Sequence, residues 1–460
     1  MCTIRTSKMN SNRGIEENTL AIIDSFGVKD ARDIEDDRLS FLEAVRVTSI
    51  VPENGTVPSS KMFEAIFQIL RFGTTLELII TSYQLLIELE KRYPRVYLSN
   101  SELVVDKEAW SPFSFGSEGA YSDRNSTNGD LDEPLNPNGF SLLTQSIAQA
   151  ADTGFKLSGI KPLADMFLFQ YLIKVLERDF LPRNSVYKES SEWSLLRESL
   201  LNTLLSLDGQ CIKVDVLQGS RRINYRSLFK DCLSILCKGS HAGFFDIPDG
   251  ESAAKFSTQA SGGVVGPTIL SELGKGTVVA VQNLLTSILE LEVSKKQADM
   301  KGETSRADGV RVPLLDIIVD ELTYNKDLIS PFLQVFSESQ WKLDITLQYF
   351  EKYVPKTSLQ TRRSNNTPEV SKLDVVLKCF SNVASTRSIV KKINVEVAQL
   401  LLAHAFQAYI CEKADDSSLV QVCKDISAAF QNLRKIDEDM EMLQIAEEAL
   451  FTAATILSTK

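Results

Sequence analysis

Few side chains in this 460-residue sequence have the type and spacing that chemistry needs. There are two histidines, so a histidine-based catalytic or metal site would have to use His241, His404 or both. His241 sits in a Ser/Gly-rich stretch. His404 sits in QLLLAHAFQAY, an apolar helical pattern in which a packed, hydrogen-bonded core histidine is expected. The seven cysteines (Cys2, Cys211, Cys232, Cys237, Cys379, Cys411 and Cys423) are odd in number and scattered. No pair has the two-residue spacing of a zinc knuckle, and Cys232 and Cys237 fall on what reads as a buried helix face, so free thiols in a reducing compartment are expected. Gly274-Lys275-Gly276-Thr277 superficially looks like a phosphate loop, but it lacks the earlier glycine of that pattern, and glycine follows the lysine where serine or threonine is needed. Carboxylates are plentiful, yet none forms a pair in an apolar, pocket-like context, and Asp320-Glu321 reads as the solvated side of its helix. The pattern points away from an enzyme: no catalytic residue, no cofactor and no metal ion is expected.

Two stretches look suited to contact. In TSRADGVRVPLLDIIVDELTY (304–324), Arg306, Asp308, Gly309 and Arg311 place opposite charges and a glycine just before a helix that Pro313 can start. This segment is either a loop tied down by its own ion pairs or a partner-binding or inter-repeat contact. The second stretch is Trp110-Ser-Pro-Phe113-Ser-Phe115, three aromatics at the edge of a Ser/Gly/Asn-rich segment. Those rings either dock back onto the helices or serve as a short partner-binding anchor.

The elements that must position these residues are helical almost throughout. Apolar residues recur at three and four along 61–71, 74–93, 163–180, 278–291, 341–353, 373–380, 395–409, 419–433 and 440–457. Thr74 or Thr75 can cap the second of these, Pro182 is expected to stop the 163–180 helix, and Ser190 or Ser191 to cap the helix after it. No strand pattern of convincing length appears. The fold class read from this is all-α, an α-α superhelix of degenerate HEAT/armadillo-like repeats. The expected organisation is a disordered N-terminus (1–15), N-terminal repeats (16–110), an acidic flexible linker (111–139), middle repeats (140–238), a flexible insert (239–267) and C-terminal repeats (268–460).

The net charge of -11 and pI near 5.0 argue against a surface that grips nucleic acid or anionic membrane over its whole extent. Local basic clusters remain at 221–230, 295–296, 362–363 and 391–392. The first interleaves with Leu228, Leu233, Ile235 and Leu236, as the solvated face of an amphipathic helix does. No window reads as long and apolar enough to span a bilayer, and the N-terminus lacks a secretory pattern, so a cytosolic or nuclear protein is expected.

A family resemblance rests on long segments in order: FLEAVRVTSIVPENG (41–55), MFEAIFQILRFGTTLELI (62–79), EAWSPFSFGS (108–117), MFLFQYLIKVLERDFLPRNSVY with WSLLRESLLNTLL (166–205), 294–324, FLQVFSESQWKLDITLQYFEKYVPK (332–356) and the C-terminal LFTAATIL. Together they resemble the plant negative regulators of systemic acquired resistance, nuclear suppressors of inducible defence genes. The resemblance covers most of the chain outside 118–160 and 206–275. It implies a nuclear, non-catalytic subunit of the SMC five/six genome-maintenance complex, with an armadillo-like fold and a second helical non-SMC element as partner. The implied activity is repression of pathogenesis-related genes and of homologous recombination. Contact with chromatin would be indirect in this reading. Direct DNA binding through the basic clusters is the alternative.

Overall fold

Ser59 shows how the helices begin. Its backbone is extended and its side chain accepts from the Met62 N–H, so α2 (Ser60–Phe72) starts with one of its orphan donors satisfied. Thr75 does the same for the Leu78 N–H at the start of α3 (Leu76–Arg92). Gly73 lies between them at φ −59, so its role is space rather than a left-handed turn: a Cβ there would lie 2.7 Å from the Ile69 carbonyl. Together with α1 (Arg32–Ser49), these helices bury Leu42, Val45, Ile66, Phe67, Leu70, Leu78 and Leu86, each worth about 1.5–3 kcal/mol.

The structure is a computed structural model that describes residues 18–23, 32–99, 102–115, 135–152, 159–205, 225–240, 267–304, 314–324, 326–336, 339–353, 372–412 and 418–459. The chain forms two compact units, Met1–Arg311 and Val312–Lys460. The described residues are all-α apart from one small hairpin and an isolated β-bridge.

That hairpin, β1 (Val96–Ser99) and β2 (Glu102–Val105), is a departure from the strand-free reading. Its antiparallel register runs from Val96↔Val105 to Ser99↔Glu102. Only Val96 is buried, so the segment never shows the in-out alternation by which strands are recognised.

The first unit is organised on α5 (Lys161–Ser190), which packs against α2, α3, both strands, α4 (Pro137–Asp152), α6 (Trp193–Arg197), α7 (Leu200–Leu205) and α9 (Pro267–Lys301). The helix runs straight through Pro182 instead of stopping there. An internal proline costs about 3 kcal/mol. Beyond it, however, Arg183 donates to the Leu195 carbonyl (3.1 Å), Asn184 to Glu290 (2.7 Å) and the Tyr187 hydroxyl to the Ser294 carbonyl (3.0 Å). These bonds, at about 1 kcal/mol each, and the burial of Tyr187 offset the break. The helix ends at Ser191, in the left-handed region at φ 58. Ser191 is thus a C-cap, and Glu192 precedes α6 without a side-chain cap. The single helix expected after it is two short ones.

On the far side of α5 lies α9, 35 residues long and already helical through Gly274-Lys275-Gly276-Thr277. Gln170 of α5 explains the glycine. A Cβ on Gly276 would sit 2.9 Å from its Oε1, and its Nε2 donates to the Leu273 carbonyl and Thr277 Oγ1, both at 3.0 Å. The sequence that looks like a phosphate loop is a close helix crossing. By length and composition the 272–301 part of α9 is apolar enough to cross a membrane, contrary to the sequence reading, but half of it is buried within the unit. Between α4 and α9 packs α8 (Tyr225–Ser240), which buries Leu228, Cys232, Leu233 and Leu236 while exposing Arg226 and Lys230. Arg221 and Arg222 lie outside the described residues.

The second unit comprises α10 (Leu314–Tyr324), a 3₁₀ turn (Lys326–Leu328), α11 (Ile329–Gln334), α12 (Ser339–Tyr353), α13 (Lys372–Cys379), α14 (Val383–Ile393), α15 (Val395–Glu412), α16 (Leu419–Arg434) and α17 (Gln444–Thr459). Its core is α12 against α15, with α16 and α17 on the other side of α15. Periodicity alone missed α14, which local chemistry delimits. Asn382 accepts from the Ser385 N–H (2.9 Å), and Asn394, at φ 65, ends α14 and accepts from the Val397 N–H to open α15. On α10, Asp320 pairs with Lys352, whereas Glu321 is 8% exposed, buried rather than solvated as its sequence context suggested.

Candidate interaction site

The aromatic stretch is held by the elements around it. After β2, the Asp106 side chain accepts from the Glu108 N–H (3.0 Å), and Arg95 donates to the Ala109 carbonyl (3.3 Å), fixing the backbone that carries Trp110. The Trp110 ring stacks on Phe63 at 5.8 Å and meets Phe67, one turn on along α2, at 5.4 Å. Phe67 in turn contacts Tyr171 of α5. A second run goes from Phe115 through Phe113 to Phe140 of α4 and Phe169 of α5. Phe113 is buried, whereas Trp110 and Phe115 are half-buried. The structure therefore shows the rings docked onto α2, α4 and α5. Any partner that took Phe113 would first have to extract it.

The residues on either side of 116–134 meet. Phe113 and Leu135 form a parallel bridge, with Ser114 N–H donating to the Leu135 carbonyl (3.0 Å) and Leu135 N–H to the Pro112 carbonyl (2.8 Å). The ends of the expected 111–139 linker are thus ordered, and α4 already begins at Pro137. Segment 116–134 itself lies outside the described residues and holds five carboxylates against one arginine. Its ends are joined beside the half-buried Phe115.

Beneath the rings is a buried polar cluster that sequence reading missed. The Tyr171 hydroxyl donates to Glu90 Oε1 (3.4 Å), and Arg178 donates to the Ile87 carbonyl (3.3 Å). Burial raises the Glu90 carboxyl to about 7, against the opposing pull of Arg178, the Tyr171 hydroxyl and Arg95. Tyr171 is pushed well above its usual range, first by burial and then by Glu90. Further along α5, Asp179 accepts from the Leu200 N–H (2.7 Å), which starts α7, and from Arg183 Nε (3.3 Å), with Arg95 at 4.0 Å. Burial raises the Asp179 carboxyl despite these donors. The only sequence trace of the cluster was the i, i+4 spacing of Asp179 and Arg183. Each carboxylate is matched to donors that tie helices together. Neither has a histidine, serine or cysteine hydroxyl or thiol in its hydrogen bonds that it could activate.

His404, in the second unit, is 6% exposed, with Nε2 3.5 Å from Ser330 Oγ. Burial, and then Lys342, hold its pKa down to about 4, so it is a neutral core histidine as expected. The described cysteines form no disulfide with one another, and Cys232 and Cys423 are buried. Among the described residues no three His, Cys, Asp or Glu side chains come together as a metal site. His241 and the charged segment Arg306, Asp308, Gly309 and Arg311 lie outside the described residues.

What these features define is an all-α protein whose buried charges and amides join helix to helix. Comparison with known proteins narrows the class. Residues 88–338 match the SNI1 middle domain and residues 354–460 the SNI1 C-terminal domain. The chain is 43% identical over 466 residues to "Negative regulator of systemic acquired resistance SNI1" of Arabidopsis thaliana, a match covering 99% of this chain and 98% of that relative. The chain belongs to the SNI1 family. No solved structure matches it. The middle-domain match crosses the boundary between the two compact units at 311 and 312.

Proposed function

We propose that this chain is a nuclear, non-catalytic scaffold that negatively regulates systemic acquired resistance, repressing pathogenesis-related genes and restraining homologous recombination as a subunit of the SMC five/six complex. The observation that carries the regulatory part is the 43% identity to the Arabidopsis regulator along nearly the whole of both chains. A second helical non-SMC element is the proposed partner, contacted by helix surfaces in a HEAT/armadillo-like stack. Pairs of helices adjacent in sequence and packed together (α2 with α3, α16 with α17) support that arrangement. The 306–311 segment and the half-buried rings Trp110 and Phe115 are the proposed contact points.

The test is expression of this chain in an Arabidopsis line lacking its relative, with defence-gene transcripts read before and after induction and SMC five/six subunits probed in the purified nuclear complex. Restored repression and co-purification are expected. Accumulation of folded protein with neither would refute the proposal. Replacing Arg306 and Arg311 by glutamate is expected to weaken co-purification without changing the circular dichroism spectrum.

Direct DNA binding has less support. Lys295 is buried with its ammonium over the Trp193 ring, and Lys392 donates to the Tyr353 carbonyl (3.2 Å), so two lysines of the basic clusters already hold positions within their own units. Titration of the purified protein with duplex DNA at two salt concentrations separates the readings, because phosphate contact gives binding that falls steeply with salt.

A further inference from the structure

The last helix, α17, packs on α16 and α15 through three small residues, Ala446, Ala449 and Ala453, each fully buried. At about 100° per residue, Phe451 points roughly 165° away from the middle of that stripe. It is 75% exposed. Four other large apolar side chains are comparably exposed: Met300 and Tyr324 lie within a few residues of segments outside the described residues, and Val51 and Val57 are smaller and lie in the connection between α1 and α2. Phe451 stands within a stretch described without interruption from 418 to 459. Its neighbours on the outer ridge are Glu447 and Glu448 one turn before and Ala454 and Thr455 one turn after, all exposed.

The charge around this ring has one sign. α17 itself carries two carboxylates, Glu447 and Glu448, and no lysine, arginine or histidine; four more, Asp437, Glu438, Asp439 and Glu441, lie in the connection before it, after Arg434 and Lys435, and Lys460 follows the helix. The Gln444 side chain donates to Glu448 (3.1 Å). None of the six is ion-paired among the described residues. An aromatic anchor with two unneutralised carboxylates one turn before it on the same exposed face is complementary to an apolar stripe flanked by lysine or arginine, and it repels phosphate.

We propose that the outer face of α17 is a docking surface for a basic amphipathic helix of a partner protein, with Phe451 as its anchor and Glu447 and Glu448 setting the charge preference. This goes beyond the regulatory assignment and does not depend on which complex the chain serves.

The experiment uses the full-length protein and three fluorescent 20-residue peptides: a helical Leu/Lys peptide, the same peptide with glutamate for lysine, and a scrambled Leu/Lys control. Fluorescence anisotropy is measured with the native chain, Phe451→Ser and Glu447→Lys/Glu448→Lys. All three positions are exposed, and matching urea midpoints verify folding. The native protein is expected to bind the helical Leu/Lys peptide, with at least tenfold weaker binding for Phe451→Ser and a shift of preference toward the glutamate peptide for the double variant. Equal binding of the scrambled peptide, no binding, or binding unaffected by Phe451→Ser overturns the proposal. So does self-association in sedimentation that Phe451→Ser abolishes, since the occupant would then be a second copy of this chain.

Discussion

Substitution of Gly276 by alanine pits two local effects against each other. Within a helix, Gly→Ala ordinarily stabilises by about 1 kcal/mol. At this crossing, though, the added Cβ would stand 2.9 Å from Gln170 Oε1 and 3.1 Å from Nε2, so the amide must leave. Leaving breaks its bonds to the Leu273 carbonyl and Thr277 Oγ1 and strands a partly buried amide, together about 2–3 kcal/mol. The expected net effect is destabilisation by about 1–2 kcal/mol. In a Gln170→Ala background the obstacle is gone, and the same Gly276→Ala change is expected to stabilise by about 0.5–1 kcal/mol. The sign reverses, giving a coupling of about 2–3 kcal/mol. Urea unfolding followed by tryptophan fluorescence reads this directly. Trp110 and Trp193 lie in the first unit, and Trp341→Phe silences the second. If Gly276→Ala stabilises the native chain, or if the two changes add independently, the glycine is not there for the crossing.

Three further outcomes are expected. Asp179→Ala leaves the Arg183 guanidinium, 3% exposed, without its carboxylate and the Leu200 N–H without an acceptor; a loss of about 3–5 kcal/mol should appear in urea midpoints, with Asp179→Asn in between. Trp110→Ala should lower the first unit's stability by about 2–3 kcal/mol by removing the contacts to Phe63 and Phe67, and an unchanged midpoint would mean that the ring's docking carries no weight. Glu90 has a folded pKa raised to about 7 from 4.5, so its contribution is fully present below pH 4.5 and is lost as pH rises through 7. Glu90→Gln is therefore expected to stabilise the first unit at pH 8 by up to about 3 kcal/mol and to leave it nearly unchanged at pH 4.5; equal effects at both pH values would show that Glu90 titrates normally.

Much of the helical frame was legible because α2, α3 and α15 carry local signals that agree: an apolar stripe at three and four, and for the first two a Ser or Thr cap. The errors fell where packing overrides a local rule. Pro182 and Gly276 are punctuation in any single-chain reading, yet α5 and α9 run through both because neighbouring helices grip the chain beyond them. The hairpin was missed because only Val96 faces the core, and α14 because its ends are set by two asparagines rather than by periodicity. The aromatic stretch at 110–115 stood out by composition. Glu90 and Asp179 did not, since nothing in a local sequence says which carboxylate will face inward.

The same distinction bears on how loss of function in this protein should be interpreted. Its most unusual polar groups, Glu90, Asp179, Gln170 and Asn184, are each tied to a partner on another segment of the chain, so damage there acts first on folding. A variant that loses regulation through Gln170 or Asp179 is uninformative unless its stability is intact. Phe451, Glu447 and Glu448 are the reverse case: they contribute little to the unit that carries them, because Ala446, Ala449 and Ala453 make the contact on the other side of α17. Under the proposed function, a regulatory defect in Phe451→Ser with an unchanged urea midpoint would therefore be a defect of association, which separates a contact surface from the cross-ties that hold the helices in place.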